Sequence, residues 1–357
     1  MKKLIALSLS AIMLFAMTAC GQTAATKATE VLTVSETTDG TADSPATAVT
    51  LKLGTILAPD HPFMVGYANI AAEVSEKSNG AVTLELYPSS ELGGEPDLVS
   101  GMSMGTVDMA SIGPSELANY IDDFCVFEVP YMFKDADHFK SFIAIDSPVG
   151  SKLYSNLEND MNIRVVMPIY NGARQVTSNK PIYSAADMVG MKMRCPNAQG
   201  SIDMVQIVFG AVPTPMNLSE VYLALQNGTA DGQENPITNI YSNSFQEVQD
   251  YLVMTSHVQS AGLLCMSTAA VEKLTPEQLA IVEEAIANEA PKMAERIADA
   301  ENEYLEAMQD AGMTVITSDE IDLQSFYNNA SALINKYIEE GKFSQDLYDS
   351  IQALYAA

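Results

Sequence analysis

Arginine is scarce in this chain, and its placement is the first chemical signal. Only Arg164, Arg174, Arg194 and Arg296 occur among 357 residues that include 46 Asp and Glu. Two of them lie in Asn171-Gly172-Ala173-Arg174-Gln175 and Gly190-Met191-Lys192-Met193-Arg194-Cys195-Pro196, and the polar turn Asp231-Gly232-Gln233-Glu234-Asn235-Pro236 follows. A guanidinium presents a rigid fork that matches a carboxylate in a way an ammonium does not, so this choice of residue points to a held anion. Spacing alone leaves a second reading open, in which both arginines are ordinary surface residues. Asp231 and Glu234 also have two readings: a carboxylate pair for acid–base work, or turn and cap chemistry before Pro236.

Other chemistries find little support. His61, His138 and His257 have no second His or Cys at metal-ligand spacing, and no phosphate loop, nucleophile elbow or Gly-x-Gly-x-x-Gly is present. The expectation is a binder with no catalytic residues, metal or cofactor. The alternative class is a secreted enzyme acting on a sugar acid.

The motifs around the arginines resemble one family. Asn-Gly-x-Arg-Gln at 171–175, Gly-x-Lys-x-Arg-x-Pro at 190–196, Gly-Ala-x-Pro-Thr-Pro-Met at 210–216, Ser-Glu-Val-Tyr-Leu-Ala-Leu-Gln at 219–226 and Asp-Gly-Gln-Glu-Asn-Pro at 231–236 occur in order. Upstream, His61-Pro62, Tyr87-Pro88-Ser89-Ser90-Glu91-Leu92-Gly93, Gly105-Thr106-Val107-Asp108 and Pro130-Tyr131 also fit. Together, across roughly residues 50–340, they resemble the DctP-type solute-binding (P) subunits of tripartite ATP-independent periplasmic (TRAP) transporters.

The resemblance implies a site. Arg194 would clamp a ligand carboxylate, Arg174 would add a second cationic contact, and the Asn235 amide would orient a hydroxyl or carboxylate oxygen. Asn171, Asn197, Glu95 and Leu218 complete the expected ligand-binding set, Leu218 standing where many relatives place an aromatic ring. Residues 194–197 and 214–226 are similar to sialic-acid receptors. Ile56, Gly113 and Glu116, however, occupy places where those receptors contribute polar side chains. The implied ligand is therefore a polyhydroxylated monocarboxylate such as a uronic or aldonic acid, with sialate or a C4-dicarboxylate as competitor. The implied partners are the small and large subunits of a membrane permease driven by an ion gradient.

The elements that must position these residues read as α/β. Residues 49–54, 82–87, 107–112, 163–170, 191–194, 252–254 and 263–266 read as strands. Residues 64–78, 97–105, 201–209, 219–226, 276–311 and 323–341 read as helices, with Ser219 as a cap and Asn79-Gly80 as a left-handed stop. Strand–helix–strand over 49–87 predicts a βαβ unit and a largely parallel sheet. The expected architecture is a two-lobed periplasmic-binding-protein-like fold, with the ligand cleft between the lobes and long C-terminal helices. As the resemblance implies, lobe I covers 50–171 plus 260–300, and lobe II covers 172–259 plus 301–357.

The beginning of the chain reads as an export signal. Met1-Lys2-Lys3 and the apolar run from Leu4 to Met17 form a leader over 1–19. Thr18-Ala19-Cys20-Gly21 resembles a lipoprotein cleavage box. It predicts a lipidated Cys20 on a flexible linker over 20–49, against the plainer reading of a signal peptide cleaved nearby. The expected location is secreted, lipid-anchored to the outer face of the cytoplasmic membrane or in the periplasm. A formal charge of −28 argues against nucleic acid or anionic lipid as a partner. Cys125, Cys195 and Cys265 are widely spaced and read as buried packing residues.

Overall fold

The computed structural model describes residues 48–356, so the leader, Cys20 and most of the linker lie outside the described residues. Nine strands form one sheet there: β1 (Val49–Thr55), β2 (Val82–Tyr87), β3 (Met109–Ile112), β4 (Ile163–Ser178), β5 (Lys192–Cys195), β6 (Val212–Pro215), β7 (Gly232–Pro236), β8 (Tyr251–Ser267) and β9 (Thr314–Ile316). Their order is β2-β1-β3-β8-β4-β7-β5-β6, with β9 beside β8.

Alternation builds the first flank. In β1, Leu51 and Leu53 are buried on one face while Lys52 between them is exposed, the period-2 pattern of a strand. The helix Pro62–Lys77 crosses over to β2, which pairs in parallel with β1 (Leu51 opposite Leu84), so the expected βαβ unit is present. Pro62 opens that helix, and the His61 ring accepts a bond from Phe63 N. Asn79 (φ 50°) and Gly80 (φ 78°) end it in the left-handed turn.

The sheet is parallel on both flanks, β2-β1-β3 and β7-β5-β6, and antiparallel in its middle. There β4 pairs with β8 over most of the length of both, and these two strands also pair antiparallel with β7 and β3. The short segments expected at 163–170, 252–254 and 263–266 are therefore parts of two strands of 16 and 17 residues. Their continuity was masked because the alternation breaks in the middle. In β4 alternation holds from Ile163 to Tyr170 and stops at Asn171. The pairing with β8 shifts register between Tyr170 and Ala173, and Gly172 takes φ 82°. A side chain at Gly172 would collide with the Glu301 carboxylate, so the bulge admits only glycine without rearrangement.

Other differences are local. The helix expected at 219–226 starts at Leu218 and is capped by Asn217, not Ser219. Asn217 N donates to Glu220 Oε2 at 3.0 Å, a cap that Ser219, one residue into the helix, cannot make. The helices Ala136–Ile143 and Gly150–Met161 went unread in the sequence. The long helix Pro276–Asp310 packs on Pro62–Lys77, and the C-terminal helices Leu323–Glu340 and Gln345–Ala353 reach both flanks. Asn329 donates to Val208 O (3.0 Å), and Gln352 to Met132 O (2.8 Å). The three cysteines among the described residues, Cys125, Cys195 and Cys265, are buried and free; burial pushes the Cys125 and Cys195 thiols up to about 12 and raises that of Cys265 as well, so they are packing groups. Among the described residues no helix is long and apolar enough to cross a membrane.

Candidate functional site

The bulged part of β4, at Asn171 and Arg174, and residues 258–262 of β8 line a cavity. The cavity there spans about 970 Å³ of space between atoms, part of it open to solvent. Every residue expected to form the site lines it: Glu95, Asn171, Arg174, Arg194, Asn197, Leu218 and Asn235. Ile56, Gly113 and Glu116 line it as well.

Arg194 sits on β5, a central strand held in parallel between β6 (Arg194 opposite Thr214) and β7 (opposite Gln233). It is buried, at 3% exposure. Its Nε and Nη2 donate to Met216 O at 3.2 and 2.7 Å, which fixes the plane of the guanidinium and leaves Nη1 without a hydrogen bond among the described residues. Arg164, Arg174 and Arg296 each pair with a glutamate; Arg194, the most buried of the four, has no carboxylate within ion-pair distance among the described residues. Burial pulls its pKa down to about 10, opposed by the charge of Glu234 and assisted by that of Arg174. A buried cation without a direct counter-charge is costly, and an incoming anion relieves that cost.

Arg174 is differently placed. The bulge turns it toward β7, where its Nε and Nη2 engage both oxygens of the Glu234 carboxylate (2.7 Å for the Nη2–Oε1 bond). Nη2 also donates to Asn235 Oδ1 at 3.2 Å. Burial works against its charge, but Glu234 outweighs that and raises its pKa. Arg174 is thus already neutralised from within. Glu234 itself is fully buried. Burial favours its neutral form, yet Arg174 and the bond from His257 hold its carboxyl at about 2. His257 is kept neutral by burial, so Nε2 donates to Glu234 (3.1 Å) and Nδ1 accepts from the Thr255 hydroxyl (2.8 Å).

These contacts bear out the turn reading for Asp231 and correct it for Glu234. Asp231 is turn chemistry, accepting from Lys192 N at 2.8 Å, while Glu234 is the buried partner of Arg174. The two acids have separate partners: Asp231 precedes β7 and turns to Lys192 N, while Glu234 within β7 is buried against Arg174 and His257.

The amides form a second layer. Asn171 Nδ2 donates to Asn239 Oδ1 (2.9 Å), and Thr238 donates to Asn171 Oδ1 (3.0 Å). His61, whose pKa burial lowers to about 4, is neutral and donates Nε2–H to the same Asn239 oxygen at 3.2 Å. Asn239 lines the cavity, and its Nδ2 makes no hydrogen bond among the described residues. Nothing in the motifs marks Asn239 beyond its position after the 231–236 turn. Asn235 Nδ2 donates to Gln233 Oε1 (2.5 Å), and Asn197, exposed at the rim, donates to Asn217 Oδ1 (3.2 Å). Leu218 is buried in a cluster with Val221 and Ile237, adding an apolar wall. Opposite the arginines, half-buried Glu95 accepts from Gly113 N at 2.6 Å.

A cavity of this kind, with one uncompensated guanidinium among fixed amides, suits binding more than turnover. Comparison with known proteins agrees. The sequence model of bacterial extracellular solute-binding protein family 7 (DctP) matches residues 53–340. The chain belongs to this family.

Its relatives are receptors rather than enzymes. A solute-binding protein of Roseobacter denitrificans is 35% identical over 80% of this chain and 86% of its own length. The structure of that protein with bound L-galactonate has a TM-score of 0.79 and covers 87% of this chain and 99% of the other. The sialic acid-binding periplasmic protein SiaP of Vibrio cholerae is 31% identical over 81% of this chain and 89% of its own. A TRAP periplasmic solute-binding protein of Haemophilus influenzae with bound L-gulonate is 28% identical, with a TM-score of 0.80 over 85% of this chain and 99% of that one. This solute-binding protein accordingly works outside the cytoplasm, with the α/β fold expected for such receptors.

Proposed function

We propose that the protein is the solute receptor of a TRAP transporter for a sugar acid, a uronate or an aldonate, which it delivers to the small and large permease subunits. The observation that carries this reading is Arg194: buried, lining the cavity and without a carboxylate partner. Its Nη1, with Nη2, would hold the ligand carboxylate. Arg174, Asn171, Asn197 and Asn235, with Asn239, would meet hydroxyls, and Leu218 would cover an apolar edge. Relatives bound to L-galactonate and L-gulonate support the sugar-acid class. Sialate is the second reading, favoured by the Vibrio relative and disfavoured by apolar Ile56 and bare Gly113 in the cavity wall. The two halves we assign to lobes, 50–171 with 260–300 and 172–259 with 301–357, would close on the ligand by hinge bending.

A melting-shift screen tests the class. Uronic and aldonic acids should raise the melting temperature, by an increment that grows with the logarithm of ligand concentration, while their neutral parent sugars leave it unchanged. Equal shifts from neutral sugars would remove the carboxylate from the account. Attachment to the membrane belongs to the same proposal and rests on Thr18-Ala19-Cys20-Gly21. Expressed in a bacterium, the protein should incorporate labelled palmitate and Cys20→Ala should not; unlabelled wild-type protein would refute the anchor.

A further inference from the structure

The cavity holds more negative charge than an anion-binding site needs. Glu234 behind the wall cancels Arg174, and the walls themselves carry Glu95, Glu116 and Glu128. None of these three has a Lys, Arg or His within ion-pair distance among the described residues. Three unpaired carboxylates therefore share one cavity with one unpaired guanidinium. An acid that binds there as an anion adds a further negative charge, and a like charge favours the neutral form of each carboxyl it approaches.

We propose that this receptor takes up its acid together with a proton, which passes from solvent onto a carboxylate oxygen of Glu95 or Glu116 in the cavity wall as the ligand anion binds. The proposal rests on the sugar-acid reading above. The geometry that supports it is local. Glu95 opens the helix Glu95–Ser103 and its Oε1 accepts from Gly113 N, while Glu116 stands in the turn Pro114–Leu117 that begins immediately after Gly113. A side chain at Gly113 would bring its Cβ within 3.2 Å of Glu95 Oε1, so the missing side chain lets the carboxylate reach the backbone. With Oε1 committed to that N–H, a proton on Oε2 makes Glu95 a donor toward the cavity, able to meet a ligand hydroxyl or carboxylate oxygen.

The charged surroundings favour the same outcome. Glu95 faces Glu116 from the 114–117 turn, Arg194 from β5 and Arg174 from β4. Burial first, then Glu116, pushes its carboxyl up to about 7 against the Gly113 bond and the two arginines. Glu116 is raised by burial to about 6, against bonds from Asn119 and Tyr120. Glu128, held by Ser201 and Ser115 and facing Arg174 and Glu234, is also raised by burial. On its own helix the neighbouring acid is Asp97, which is exposed and caps Gly94 N at 2.9 Å.

The sign follows from linkage. The bound anion raises the proton affinity of Glu95 above its value in the empty cavity, so affinity is greatest below about pH 6 and declines as pH rises past neutrality. A one-proton linkage gives a loss on the order of tenfold between pH 6 and pH 9 for each pH unit by which the ligand moves the carboxyl.

Calorimetric titration with L-galactonate, and with D-galacturonate where L-galactonate does not bind, in buffers of different ionisation enthalpy measures protons taken up. At pH 7.5 wild type should take up a substantial fraction of one proton, and the isosteric Glu95→Gln variant should take up much less and show a flatter pH profile. Zero uptake by wild type, or full uptake by both Glu95→Gln and Glu116→Gln, overturns the proposal. Titration of the carbon-labelled glutamate carboxyls by NMR, without ligand, separates this idea from the sugar-acid reading. A resonance absent from Glu95→Gln should titrate near 7 in wild type, whereas a midpoint in the ordinary carboxylate range overturns the proposal even where no sugar acid binds.

Discussion

Arg194→Ala is expected to lower affinity for the sugar acid by about 2–5 kcal/mol, tens- to thousands-fold, in calorimetric titration. The large figure follows from burial: the ligand carboxylate would be left in a poorly hydrated cavity without its cation. Arg194→Lys should recover little. The Met216 carbonyl fixes the guanidinium through Nε and Nη2, and an ammonium cannot both keep that anchor and present a second donor to the ligand. Arg164→Ala is the internal control. That residue is 38% exposed and paired with Glu158 at 2.7 Å, and its loss should change affinity by less than about threefold. Normal binding by Arg194→Ala would remove the clamp.

Glu234→Ala is expected to act on stability before it acts on binding. It would strand the mostly buried Arg174 without its partner and remove the acceptor of His257, which is fully buried. Breaking such a pair costs about 3–5 kcal/mol, read as a lower urea midpoint. The pH dependence gives an independent check. Because the folded carboxyl lies near 2 instead of its ordinary 4.5, its contribution is fully present above 4.5 and is lost as pH falls toward 2. That displacement corresponds to about 3 kcal/mol. Wild type should lose that much more stability than Glu234→Gln over this interval; parallel acid profiles would mean that the pair does not stabilise the fold.

Most of the site was legible because it is carried by short motifs on rigid elements. Arg194 lies within one strand, Asn171 in the β4 bulge with Arg174 just beyond it, and Asn235 near the end of another strand, so each could be named without the fold. Glu234 was named but misplaced. Its partner is sixty residues away, and nothing in a turn motif tells a cap from a buried ion pair. His61 and Asn239 belong to a polar network that exists only once 178 residues of chain bring them together. The two long strands were read as fragments for the same reason that they matter. Where β4 bulges at Gly172 the period-2 signal stops, and there the backbone turns Asn171 and Arg174 into the cavity wall.

A crystal structure of the protein with the acid that gives the largest melting shift tests the central claim most directly. The expected result places the ligand carboxylate about 2.7–2.9 Å from Arg194 Nη1, with hydroxyls toward Asn171, Asn235 and Glu95. A carboxylate bound away from Arg194, with that guanidinium still facing only the Met216 carbonyl, would contradict it.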